Sequence, residues 1–271
     1  MKLTTTLMTG AIVAAGALTL STSAMAVSAG GGSDPFDEYA EDGGVPTISE
    51  QAGGSCAIYR PVDVEPGTPL VVWGNGTGGS PATYGQGLEH WASYGIAVAA
   101  AQTANAGSGE DILDCIDAVR RESYADKIDF SRIGASGHSQ GGGGTIMAGR
   151  DERITATAPI QPYVMGLGHR SSSQEQQHGP MLILTGSADT LAGPARNGGR
   201  VFSNTNEPAF WADRKGASHF EPTGDFGDYR GISTAWWLFQ LKDDSDAADI
   251  FTGPCNGCDA SDWDVETKGG L

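Results

Sequence analysis

The stretch Gly134–Ile146, GASGHSQGGGGTI, constrains this chain more than any other part of it. The apolar run RIGASG (132–137) leads into it and Ile146–Met147–Ala148 closes it, so the glycines stand between a buried strand and a helix. A flexible linker would have neither flank. A phosphate loop needs G-x-x-x-x-G-K-[ST] and there is no lysine here; a dinucleotide G-x-G-x-x-G cannot be placed either. G-x-S-x-G fits, spelled by Gly137, His138, Ser139, Gln140 and Gly141. A strand turning sharply into a helix would hold the Ser139 hydroxyl at the sheet's C-terminal edge, in strained backbone geometry. Gly142–Gly144 each weaken a helix by roughly 1 kcal/mol relative to alanine. That makes sense where the helix packs very close to its neighbours. Ser136 is the nearby competitor, and it lacks a glycine two places on.

Elsewhere apolar runs alternate with amphipathic stretches. Strands are expected at 70–73, 95–101, 132–137, 153–160, 180–186 and 208–213, about six in all. Helices are expected between them, among them 108–122, with Ile112, Cys115, Ile116 and Val119 at helical spacing, and 231–241. This rhythm predicts an α/β fold, a mostly parallel doubly wound sheet flanked by helices, in one domain over 46–271. Residues 27–45 are acidic and glycine-rich and read as a flexible lead-in. Residues 1–26 read as a signal peptide: Lys2, an apolar run from Leu7 to Leu20, then Ala24–Met25–Ala26 as a small-x-small cleavage pattern. That run is shorter than the roughly 20 residues a membrane helix needs. Export to an extracellular or periplasmic location, with no membrane span after cleavage, is the expectation.

A formal charge of −17 repels nucleic acid and anionic membranes, so neither is expected as a partner. Four cysteines in an exported chain suggest disulfides, with three possible pairings. Cys255 and Cys258 enclose Asn-Gly, a turn-forming pair, which would leave Cys56 with Cys115. A thioredoxin-like or zinc reading of Cys255–Cys258 is disfavoured by its polar surroundings and by the isolation of the other two cysteines.

A serine nucleophile needs a base, and the base needs a carboxylate to fix its tautomer; the order here should be Ser, acid, His. Asp189 follows the strand at 180–186, and His219 follows the strand at 208–213 behind a Gly-Ala-Ser turn. His90, His138, His169 and His178 precede the acid and are weaker candidates. The oxyanion needs two backbone N–H donors. Gln140, directly after the nucleophile, supplies one, and the glycine-rich loop GNGTGG supplies the other at Asn75, with Gly76 as the alternative. Gly76 and His138 also count as candidate substrate contacts. Asn75-Gly-Thr matches a glycosylation sequon, which that position disfavours. Trp73, Trp91, Trp211, Trp236 and Trp237 read as core.

With VVWGNGTG, HWASYGIAVAA, GHSQGG, APIQPY, LILTGSADT and GASHF in this order, the chain resembles the α/β-hydrolase superfamily and, within it, bacterial cutinases and polyester (PET) hydrolases. The resemblance covers roughly 56–243. It implies ester hydrolysis in an open surface groove without a large lid. It also places Tyr163, at the end of APIQPY, as the aromatic substrate clamp where a tryptophan is usual. The chain departs from the family in having Asn75 where an aromatic is frequent and Gln140 where methionine is common, and CNGC closes a shorter loop than the family's C-terminal disulfide. The two polar substitutions predict a more polar groove. The expected protein is a monomeric serine carboxylic-ester hydrolase acting on an ester or polyester, with no cofactor or metal. The alternatives are an esterase or lipase for small soluble esters, a polyhydroxyalkanoate or polylactide depolymerase, and a catalytically silent surface-binding protein of the same fold.

Overall fold

The computed structural model describes residues 34–271; the segment read as a signal peptide (1–26) and the first part of the lead-in lie outside the described residues. In chain order the strands are β1 (Thr47–Ala52), β2 (Cys56–Pro61), β3 (Thr68–Gly74), β4 (Ala97–Ala101), β5 (Ile128–His138), β6 (Ala156–Ile160), β7 (Met181–Gly186), β8 (Ala209–Arg214) and β9 (Trp263–Lys268). The helices are α1 (Asp37–Ala40), α2 (Gly85–Ser93), α3 (Glu110–Val119), α4 (Gln140–Ala148), α5 (Gly198–Asn204), α6 (Tyr229–Lys242) and α7 (Ser245–Phe251).

The strands form one sheet in the order β1-β2-β4-β3-β5-β6-β7-β8-β9. From β4 to β8 every pairing is parallel. These six are the strands legible as apolar runs, because a parallel strand covered on both faces must be apolar along its whole length. The three strands missed by sequence pair antiparallel: β1 with β2, β2 with β4, and β9 with β8. The edge strands β1 (TISEQA) and β9 (WDVETK) are largely solvated and carry no apolar run to betray them.

Alternation along each strand divides the core. Val71 and Trp73 face one layer with Trp91 of α2 and Ile232, Trp236 and Trp237 of α6. Leu70 and Val72 face the other with Ile112, Ile116 and Val119 of α3. The tryptophans read as core are fully buried except Trp211, which is half-buried. Cys56 of β2 and Cys115 of α3 lie in that second layer and are bonded, as are Cys255 and Cys258.

Within the lead-in expected to be flexible over 27–45, the described part from Asp34 to Ala40 packs against the domain. Phe36 and Tyr39 sit one turn apart and are both buried, Phe36 edge-to-face on Trp263 at 5.5 Å. The Trp263 indole N–H donates to Asp34 Oδ2. Burying two aromatic rings offsets the chain entropy that an acidic, glycine-rich composition otherwise favours.

Candidate active site

β5 ends at His138 and α4 begins at Gln140, leaving Ser139 alone in the turn with φ 55° and ψ −118°. A serine in this region is strained, and the surroundings hold it there. Its N–H donates to the Ile160 carbonyl at 3.1 Å, and its own carbonyl accepts from the N–H groups of Gly143 at 3.0 Å and Tyr163 at 2.8 Å. The glycine run explains how α4 comes so close. A Cβ on Gly141 would overlap the backbone of Gly74 and Asn75, and one on Gly144 would overlap the Ala106 carbonyl. Backbone atoms cannot swing aside as a side chain can.

His219, in the turn segment between β8 and α6, has Nε2 2.8 Å from Ser139 Oγ and Nδ1 2.7 Å from Asp189 Oδ2. A carboxylate only accepts, so Nδ1 carries the proton, and Nε2 is left to accept from the serine hydroxyl. Asp189 follows β7. Its Oδ1 accepts the N–H groups of Leu191 and Ala192, each at 2.8 Å. Burial by itself would raise the Asp189 pKa. The bonds from His219 and from these two backbone amides outweigh burial and hold it below the ordinary carboxylate value.

Ser139 and His219 open into a cleft of about 450 Å³, also lined by Gly76, Thr77, Tyr84, His138, Tyr163, Leu167, Leu191 and Phe220. Of the residues expected to touch substrate, Gly76, His138 and Tyr163 therefore do border it. Asn75, expected as an oxyanion donor through its backbone N–H, is not among the residues lining the cleft; it is fully buried, its Oδ1 accepting from the Trp73 indole and its Nδ2 donating to the carbonyls of Ala101 and Thr103. The same commitment rules out its use as a glycosylation site. The Gln140 side chain is also buried. Asn75 and Gln140 thus do not supply the groove polarity expected of them, because both side chains turn inward to satisfy buried partners. The rim carries Leu167, Leu191 and Phe220, at 52%, 57% and 65% exposure, beside the exposed threonines Thr77, Thr83 and Thr223.

A family model described as PET hydrolase-like matches residues 91–267, a span that contains Ser139, Asp189 and His219. The chain belongs to the PET hydrolase-like family. Its nine-stranded, mostly parallel sheet flanked by helices is that of the family's α/β-hydrolase fold. Curated relatives include a bis(hydroxyethyl) terephthalate hydrolase of Streptomyces coelicolor, 26% identical over 51% of this chain and 44% of the relative. Cutinase 2 of Thermobifida cellulosilytica is 31% identical over 50% of this chain and 49% of the relative, and cutinase cut1 of Thermobifida fusca is 31% identical over 50% and 40%. The match thus spans less than half the length of each of these relatives.

The family match begins inside α2, so the loop after β3 lies before it. In this PET hydrolase-like chain that loop is held by Tyr84, a residue with no signal in the sequence. Its hydroxyl lies 2.9 Å from His138 Nδ1 and accepts the Gly76 N–H at 3.2 Å. Gln161, directly after β6 at φ 42°, is equally unannounced. Its Nε2 donates to the Ser218 carbonyl at 2.7 Å and to the Tyr229 hydroxyl at 3.0 Å, fixing the segment that carries His219. The competitor Ser136 is fully buried and donates to the Ala158 carbonyl. His90 and His169 are bonded to backbone carbonyls away from Ser139.

Proposed function

We propose that this chain is an exported serine carboxylic-ester hydrolase that works through an acyl-enzyme and takes polyester as its substrate. The observation that carries the reading is the unbroken bond chain from Asp189 through His219 to a strained Ser139 at the mouth of a cleft bordered by exposed Leu167, Leu191 and Phe220. Ser139 attacks the ester carbonyl while His219 takes its proton and then delivers it to the leaving alcohol. Asp189 orients the ring and stabilises the imidazolium. Water activated by His219 releases the acid.

The Gln140 N–H, in the first turn of α4, donates to the oxyanion. Thr77 supplies the second donor in place of Asn75. It borders the cleft, and its N–H makes no hydrogen bond among the described residues, whereas the Gly76 N–H is already held by Tyr84. The exposed Leu167, Leu191 and Phe220 favour an extended apolar polymer over a small soluble ester. Two disulfides in the described body fit export to an oxidising compartment.

The test is a panel running from p-nitrophenyl esters to polyester film, with the Ser139→Ala variant beside the native protein. Loss of turnover in the variant and release of soluble products from film are expected. Undiminished turnover by Ser139→Ala would overturn the nucleophile, and activity confined to short soluble esters would overturn the polymer.

A further inference from the structure

We propose that the side chain of Gln140 is a positioning group that ties the two walls of the cleft together and aligns the oxyanion donors. This rests on the reading above. The Gln140 side chain has contacts to three loops: Oε1 accepts from the Thr77 hydroxyl at 2.9 Å, while Nε2 donates to Asn105 Oδ1 at 3.1 Å and to the Leu167 carbonyl at 3.2 Å. Thr77 follows β3, Asn105 follows β4 and Leu167 follows β6. Both amide protons and the amide oxygen are thereby in use, which explains a buried polar side chain beside the nucleophile.

Two further observations make the tie mechanical rather than incidental. Leu167 sits at φ 53°, a strained conformation for a branched residue, and such strain persists only where neighbours hold it. Its carbonyl is pressed against Gly107, where a Cβ would overlap it and would also meet the Gln140 side chain. One amide therefore fixes Thr77 on one wall and Leu167 on the other. The Thr77 hydroxyl bond joins the residues that carry the two proposed oxyanion donors. Such donors act only when they are aimed before charge develops, so a loosened Thr77 weakens the transition state more than substrate binding. Releasing Leu167, an exposed residue of the rim, acts on binding of long chains instead.

The experiment is steady-state hydrolysis of p-nitrophenyl butyrate and p-nitrophenyl decanoate by the native protein, Thr77→Val, Thr77→Ser, Gln140→Met and the Thr77→Val/Gln140→Met pair. Thr77→Val keeps the shape and removes the hydroxyl; about a tenfold fall in kcat with little change in KM is expected, against a hundredfold or more for outright loss of a donor. Thr77→Ser should restore kcat to within about twofold of native, since it keeps the hydroxyl. Gln140→Met should match Thr77→Val in kcat and in addition raise KM for the decanoate, and the pair should be no slower than Gln140→Met. Native kcat in Thr77→Val, equal losses in Thr77→Val and Thr77→Ser, or multiplied losses in the pair would each overturn the proposal. The Thr77 variants carry the test should Gln140→Met fail to fold. A native protein without esterase activity, or one whose activity survives Ser139→Ala, overturns the hydrolase reading and this inference with it. An active native protein with an indifferent Thr77→Val overturns the inference alone.

Discussion

His138 Nε2 lies 2.9 Å from the carbonyl oxygen of His219, so the residue before Ser139 buttresses the backbone of the histidine hydrogen-bonded to Ser139. A carbonyl only accepts, so Nε2 carries the proton. Nδ1 then accepts from the Tyr84 hydroxyl at 2.9 Å, and the Tyr84 oxygen accepts the Gly76 N–H. The loop on one side of Ser139 is thereby linked to His219 on the other by three hydrogen bonds through a neutral imidazole.

This arrangement makes stability depend on pH. Burial, then the neighbouring His219 charge, pushes the His138 pKa from 6.5 down to about 3. Below 6.5 the unfolded chain takes up a proton at this histidine that the folded protein refuses, so stability is intact above 6.5 and declines as pH falls towards 3. One such group contributes a slope of at most about 1.4 kcal/mol per pH unit. Urea midpoints at pH 7, 5.5 and 4.5 should fall in the native protein and fall less steeply in His138→Asn. Parallel slopes would assign the effect to other groups.

Tyr84→Phe removes the donor to His138 Nδ1 and the acceptor of the Gly76 N–H while keeping the ring. The buried nitrogen left without a partner should cost about 1–3 kcal/mol of folding stability. Ester turnover should drop mainly in kcat, because the loop moves while Leu167, Leu191 and Phe220 stay. Calorimetry and steady-state kinetics on the one variant check both, and an unchanged melting temperature would contradict the network.

Asp189→Asn keeps the size of the side chain but presents an amide to His219. The imidazole then favours the wrong tautomer, and kcat on a p-nitrophenyl ester should fall by about 10⁴. A loss under tenfold would mean that Asp189 merely holds its own loop through the amides of Leu191 and Ala192.

The two disulfides should differ in worth. Cys56 and Cys115 are 59 residues apart and join β2 to α3, so loop-closure entropy assigns them about 4 kcal/mol, against roughly 2 kcal/mol for Cys255–Cys258 at a separation of three. Replacing both members of each pair by serine and measuring chemical denaturation should show the first loss at about twice the second. Equal losses would refute the entropic account.

What could be read from the chain followed from local pattern. The strands β3 to β8 announce themselves as apolar runs because burial on both faces leaves no polar position along them. Ser139 was legible because a sharp strand-to-helix turn needs Gly137 and Gly141 on either side, and Asp189 and His219 because each follows such a strand. β1 and β9 were illegible because a solvated edge strand carries no buried stripe. The docking of Phe36 and Tyr39 was illegible because a glycine-rich composition does not reveal what its few aromatics will meet.

By itself, then, the sequence determined the sheet's parallel centre, the strand-to-helix turn at Ser139 and the order of serine, acid and histidine. Only the tertiary structure decided where Asn75 and Gln140 point, and with that whether their polar side chains face the cleft. A polar side chain turns towards whichever partner satisfies it, and all of theirs but Trp73 lie far along the chain: Asn75 finds Ala101 and Thr103, and Gln140 finds Asn105, Leu167 and Thr77. Those partners are brought within reach only by β3, β4, β5 and β6 lying side by side in one sheet.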